Sequence, residues 1–170
     1  MDVEHCAECG FTYGLVDSGN LATALRSMGS RYRRALLADR AVGDSAKVRP
    51  TAEVWSPLEY GCHYRDVLLA QRERVLLALV EERPTFASIY REQRVELARY
   101  NSEEVDTVVA EVEMAAELIA WVFEGLSSEQ LARPCIYNYP EPRERTVEWL
   151  ADHTLHEGEH HLRDIERQLG

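Results

Sequence analysis

The sequence contains no run of about 18 apolar residues, so no membrane-spanning helix is expected. Its first residues, Met1-Asp2-Val3-Glu4-His5-Cys6, are acidic and carry no apolar core, which excludes a secretory signal peptide as their reading. Basic residues are in short supply: 19 Lys and Arg stand against 30 Asp and Glu, a formal net charge of −11. Nucleic acid and anionic membranes are bound through basic patches, so neither is an expected partner. There is no Gly-rich phosphate loop and no nucleophile elbow. Internal repeats and a convincing alternating strand pattern are also lacking. The expected compartment is the cytoplasm, where the four cysteines (Cys6, Cys9, Cys62, Cys135) should be reduced. Metal binding or burial then outranks disulfide formation for them.

The 170 residues suit one domain, with 45% apolar and 29% charged residues in an ordinary soluble balance. Residues 1–20 carry Gly10, Gly14 and Gly19 and read as an irregular lead-in to a helical domain over 21–170. Leu21, Leu25, Met28, Tyr32 and Leu36 recur at helical spacing and predict a first helix to about residue 41. Ser56-Pro57-Leu58-Glu59 supplies an N-cap, a proline at the first helical position and the glutamate of a capping box. This second helix should run to about Glu82, and its apolar residues on several sides suit a central bundle position. A short helix is expected around 86–98. Asn101-Ser102-Glu103-Glu104 signals the start of a third long helix ending at Gly125, and Ser127-Ser128-Glu129-Gln130 can cap one further turn. Cys135 to Pro142 reads as a Pro- and aromatic-rich loop, and the fourth long helix covers about Thr146 to Gln168. Four long helices predict an all-α four-helix bundle, with loops long enough for crossover connections.

Four of the six histidines fall within nine residues of that last helix: His153, His156, His160 and His161. Two side chains of a helix share a metal when they are four residues apart. His156 with His160 and Glu157 with His161 both qualify. On a helical wheel with His156 at 0°, the apolar residues Val147, Leu150, Leu155, Leu162, Ile165 and Leu169 span roughly 120° to 260°. Glu157 and His161 then fall near 100° and 140°, bordering the buried face, at about 100° per residue. His156 and His160 fall near 0° and 40°, toward solvent beside Arg163 and Arg167, by the same spacing. A site inside a bundle uses inward-facing residues, which favours Glu157 and His161. His63 is the histidine in the middle of another long helix and is the natural third ligand. Two histidines and a carboxylate leave positions open, as catalytic metal sites require. His153, His156 and His160 are then candidate proton carriers at the rim.

Cys6-Ala7-Glu8-Cys9-Gly10 has the form of a zinc knuckle. A structural zinc needs two more ligands, and His5, Cys62 or Cys135 are available. Cys62 points about 100° away from His63 on its helix and is expected to pack. Trp149 lies near His153 on the wheel and could line a cleft, and Tyr137-Asn138-Tyr139-Pro140 could cover one.

Trp55-Ser56-Pro57-Leu58-Glu59-Tyr60-Gly61-Cys62-His63 and Glu157-Gly158-Glu159-His160-His161-Leu162-Arg163-Asp164-Ile165 resemble the two motif regions of the DinB-like superfamily. That superfamily includes thiol-dependent isomerases and S-transferases such as mycothiol-dependent maleylpyruvate isomerase. Over roughly residues 18 to 168, the resemblance implies a DinB-like bundle with one histidine on the second helix. On the last helix it implies a His or Glu, then a His four residues later, followed by a polar and an aliphatic residue at +3 and +4. Asp164 and Ile165 occupy those last two places. The pattern carries three metal positions onto His63, Glu157 and His161. Some members keep a His-His-His set, which His156 and His160 would supply in a shifted register. The resemblance further implies one divalent metal, nickel or zinc, a low-molecular-weight thiol co-substrate, a small-molecule substrate and a homodimer. The function expected is a metal- and thiol-dependent transferase or isomerase, with a non-catalytic, metal-stabilised binding or sensing bundle as the alternative.

Overall fold

The stripe Leu21, Leu25, Met28, Tyr32 and Leu36 lines the buried face of helix α1 (Leu21–Leu37). The computed structural model describes residues 4–38 and 45–169; the expected final turn of this helix, residues 39–41, lies outside them. Helix α2 (Pro57–Val80) starts at the capping box. Ser56 Oγ accepts from the Glu59 backbone N–H at 3.2 Å, and the Glu59 carboxylate accepts from the Ser56 N–H at 2.8 Å. Arg49 donates twice to the same buried carboxylate, at 2.7 and 2.6 Å. Leu58, Cys62, Val67, Leu68, Val75 and Ala78 bury α2 on several sides, as the sequence indicates for a central helix.

A two-residue strand β1 (Thr85–Phe86) and helix α3 (Arg91–Leu97) occupy the region where one short helix is expected. Helix α4 (Val105–Glu124) begins later than its cap signal suggests. Asn101 is spent otherwise: its Oδ1 accepts from Ser56 Oγ at 2.8 Å, and its Nδ2 donates to the Lys47 carbonyl at 2.8 Å. Helix α5 (Ser128–Leu131) is a single turn with a Ser127/Gln130 capping box. Strands β2 (Pro134–Asn138) and β3 (Pro142–Thr146) follow, and helix α6 (Val147–Leu169) ends the fold. No helix among the described residues is long and apolar enough to cross a membrane.

The four long helices form a bundle in which α1 and α2 each pack along both α4 and α6 and scarcely touch one another. The chain therefore crosses the bundle between its first two long helices, the crossover that the long loop permits. The loop expected from Cys135 to Pro142 is instead a hairpin. β2 pairs antiparallel with β3 and parallel with β1. Pro134 and Pro142 each stand first in their strands, the place where a missing N–H disturbs a sheet least. Between them Cys135 and Tyr137 point inward while Pro134 and Asn138 point out, a period-2 pattern that the prolines mask in the sequence.

The lead-in is not loose. His5 bridges to Thr12, the Gly14 N–H donates to Asp152 Oδ2 at 2.8 Å, and Glu4 accepts from both Arg145 at 2.9 Å and Trp149 Nε1 at 3.2 Å. These contacts lay the lead-in along α6. On its other side α6 meets α1 and α2 closely because residue 158 is glycine. A Cβ there would stand 2.7 Å from the Tyr64 ring and hydroxyl and 2.8 Å from Met28 Cε.

Candidate metal centre

His63 lies on the second turn of α2, and Glu157 and His161 lie one turn apart on α6. The packing of α2 on α6 points all three inward together. His63 Nε2 is 3.6 Å from Glu157 Oε2, and His161 Nε2 is 3.7 Å from the same oxygen. One ligand atom from each residue lies within 4.8 Å of the other two. Around a tetrahedral zinc with bonds of about 2.0–2.1 Å, neighbouring ligand atoms sit about 3.3–3.4 Å apart. The donor set thus fits a divalent ion with small adjustments. Both ring nitrogens of His63 are buried and without a hydrogen-bond partner. A buried polar atom left unpaired is costly and calls for an explanation, and a metal supplies one.

The electrostatics prepare these donors. Burial would push the Glu157 carboxyl up, but His63, His153 and His161 reverse this and hold it well below the usual carboxylate range. Burial draws His161 down, so its ring is held neutral, as a ligand must be, although Asp164 opposes the shift. Asp164 Oδ2 lies 3.1 Å from His161 Nδ1. A proton on Nδ1 shared with that carboxylate leaves Nε2 free to face the site, the usual support for a metal-bound imidazole. The rings are also held by packing: Tyr60 stacks on His161 at 5.2 Å, and Trp55 meets His63 at 5.3 Å.

His63 and Glu157 form part of the floor of a cleft lined also by Arg74, Arg91, Tyr137, Tyr139 and His153. It encloses about 70 Å³, several times what one water molecule needs. A second opening, between Trp55, Tyr60, Arg91 and Glu92, reaches His160, His161 and Asp164. Arg91 borders both. The expected pocket cover is present in part, since Tyr137, Asn138 and Tyr139 line the cleft wall. Trp149 does not line it directly. It stacks on His153 at 4.6 Å and so backs the wall.

The remaining histidines part company. His153 lines the cleft, with Nε2 at 3.9 Å from Glu157 Oε1, and burial pulls its pKa down to about 4. His156 and His160, the alternative ligand pair, turn toward the lead-in, with His156 Nδ1 still 3.7 Å from Glu157 Oε1. There they cluster with Cys6 and Cys9. His5, Cys62 and Cys135, the partners considered for the two cysteines, lie elsewhere. The His5 ring pairs with Thr12 Oγ1 at 3.3 Å, Cys62 Sγ donates to the Tyr100 carbonyl, and Cys135 Sγ donates to the Arg145 carbonyl. Burial pushes the Cys62 thiol up and raises the Cys135 thiol to about 11. Both are packing residues. One contributor had no signal in the sequence: Tyr13, whose hydroxyl lies 3.0 Å from His153 Nδ1 and whose ring stacks on Trp149.

A four-helix bundle with a crossover and a His-Glu-His donor set on two facing helices defines the class of protein. The chain belongs to the DinB superfamily, whose model matches residues 30–165. Among solved structures it is similar to YfiT from Bacillus subtilis, described as a probable metal-dependent hydrolase with an unusual four-helix bundle topology. The two share 15% identity at a TM-score of 0.75, over 90% of this chain and 87% of that one, which is a likeness of fold. No curated protein sequence matches.

Proposed function

We propose that this protein is a divalent-metal-dependent enzyme acting on a small molecule. His63, Glu157 and His161 would hold zinc or nickel, and a low-molecular-weight thiol would be co-substrate in a transfer or isomerisation carried out in the cytoplasm. The observation that carries the reading is the convergence of these three donors, with His63 otherwise unpartnered, where His63 and Glu157 reach the floor of one cleft and His161 reaches a second opening. When bound, the ion supplies Lewis-acid polarisation to the reacting group. The chain does the rest. Asp164 orients His161, and Glu157 brings one negative charge to offset part of the ion's. His153 stays neutral at the cleft wall and is placed to take up a proton, while Tyr13 fixes its ring. Arg91 at the mouth offers a cation to an anionic substrate or thiol.

The description of YfiT supports water as the competing acceptor. Cobalt-substituted protein separates the alternatives. N-acetylcysteine should perturb its visible spectrum, and the perturbation should vanish in His63→Ala. Hydrolysis of p-nitrophenyl acetate that needs His63 and ignores added thiol would replace the transferase reading with hydrolysis. If neither reagent responds while metal still raises the melting temperature, the bundle is metal-stabilised and non-catalytic.

A further inference from the structure

Four histidines in nine residues are more than one site of this kind uses, and the structure divides them. The pair Glu157 and His161 faces α2. The pair His156 and His160, one position earlier and so about 100° around the helix, faces residues 4–13 of the lead-in. There Cys6-Ala7-Glu8-Cys9-Gly10 makes a tight knuckle. The Gly10 N–H donates to the Cys6 carbonyl at 2.8 Å, and the Cys6 N–H donates to the Phe11 carbonyl at 2.9 Å. Gly10 has φ +72°, a left-handed conformation in which glycine carries no steric penalty. The knuckle aims both thiols at α6.

We propose that Cys6, Cys9, His156 and His160 form a closed structural zinc site that clamps the lead-in onto α6. One ligand atom from each residue lies within 4.8 Å of the other three. Bonds of about 2.3 Å to sulfur and 2.0–2.1 Å to nitrogen require separations of about 3.3–3.8 Å. Closing by about 1.5 Å at most therefore completes a tetrahedron. Two observations point to a ligand independently of that spacing. Both ring nitrogens of His156 are buried without a hydrogen-bond partner. His160 is set up as a supported ligand: Nδ1 faces Cys6 Sγ at 3.9 Å, and Nε2 faces the Glu8 carboxylate at 3.5 Å.

The donor chemistry selects the ion. Two thiolates and two neutral imidazoles suit zinc and cancel its charge, whereas oxygen-seeking ions such as magnesium are poorly matched by sulfur and nitrogen donors. Binding releases the two thiol protons to solvent. All four coordination positions are filled by protein, so the ion has no open place for substrate. Its role is to hold Tyr13 against His153, and Glu4 against Trp149, and so to build one wall of the neighbouring cleft.

Metal content and cysteine protection test this on the full-length chain, prepared without an affinity tag and kept reduced. Zinc-loaded wild type should contain two zinc ions per chain, and Cys6→Ser/Cys9→Ser one. Its cobalt form should show thiolate-to-cobalt charge-transfer absorption that the double variant lacks. In folded wild type, zinc should slow iodoacetamide alkylation of Cys6 and Cys9 at least tenfold relative to chelated protein, as read by peptide mass spectrometry. This last readout needs no variant and does not depend on the double variant folding. Unchanged alkylation with zinc, or cobalt spectra without a thiolate band, would overturn the proposal. A single zinc retained in His63→Ala but lost in Cys6→Ser/Cys9→Ser would uphold this site while removing the other.

Discussion

Gly158→Ala puts one methyl group where the helices carrying the candidate metal centre meet. Two effects compete. Alanine is favoured over glycine in a helix interior by about 1 kcal/mol. Against this, the new Cβ would stand 2.7 Å from Tyr64 and 2.8 Å from Met28 Cε. Met28 can swing aside, but Tyr64 cannot. It is fully buried and stacked on Tyr32 at 4.5 Å, while the Tyr32 hydroxyl donates to the Gly158 carbonyl at 3.0 Å. The strain therefore belongs near the top of the overpacking range, about 3 kcal/mol. The net loss is about 2 kcal/mol, or roughly 4–8 °C in Tm for a chain of this size. Moving α6 off α2 also lengthens the 3.6 Å spacing between His63 and Glu157, so metal affinity should fall about tenfold or more. Urea unfolding of the metal-free protein and a competitive zinc titration measure the two effects. A variant more stable than wild type would refute the close approach, and a destabilised variant with unchanged affinity would refute the link between packing and site.

Asp164→Ala removes the partner of His161 Nδ1 and should weaken zinc at the His63 centre by about 10- to 100-fold while leaving the fold intact, as measured by chelator competition and circular dichroism. Glu59→Gln removes the charge paired with Arg49 while its amide oxygen can still close the capping box, and should cost about 1–3 kcal/mol at pH 7. Burial opposes ionisation of Glu59, yet Arg49 and Ser56 hold its pKa below the ordinary value. Its contribution is therefore fully present above the unfolded value of about 4.3 and is lost as pH falls through the folded one. Urea midpoints of wild type and variant should converge on acidification, and a constant gap down to pH 3 would contradict this. Tyr13→Phe keeps the ring stack on Trp149 but frees His153 Nδ1. It should change stability by no more than about 1.5 kcal/mol and zinc content not at all, while shifting the pH profile of any turnover.

Helix α2 was legible from Ser56 to Glu59 because a capping box is a local device, satisfied within four residues. The hairpin was not, because Pro134, Pro140 and Pro142 imitate a loop in composition and only pairing with β3 and β1 makes a strand of β2. The wheel set Glu157 and His161 at the edge of the buried face of α6, and in the structure both meet His63 there. It also turned His156 and His160 toward solvent. That followed from the period of one helix considered alone. The lead-in covers this side through Phe11 and Tyr13, contacts between residues more than 130 positions apart that no helical period encodes. Cys62 and Cys135, the other thiols offered as partners of the knuckle, are placed by tertiary packing in the same way.

Anomalous diffraction at the zinc and nickel edges, from crystals of untagged protein, addresses the metal centre most directly. A peak bounded by His63 Nε2, Glu157 Oε2 and His161 Nε2, with ligand bonds near 2.0–2.2 Å, is the expected result. Metal-replete crystals without density at that point would contradict it.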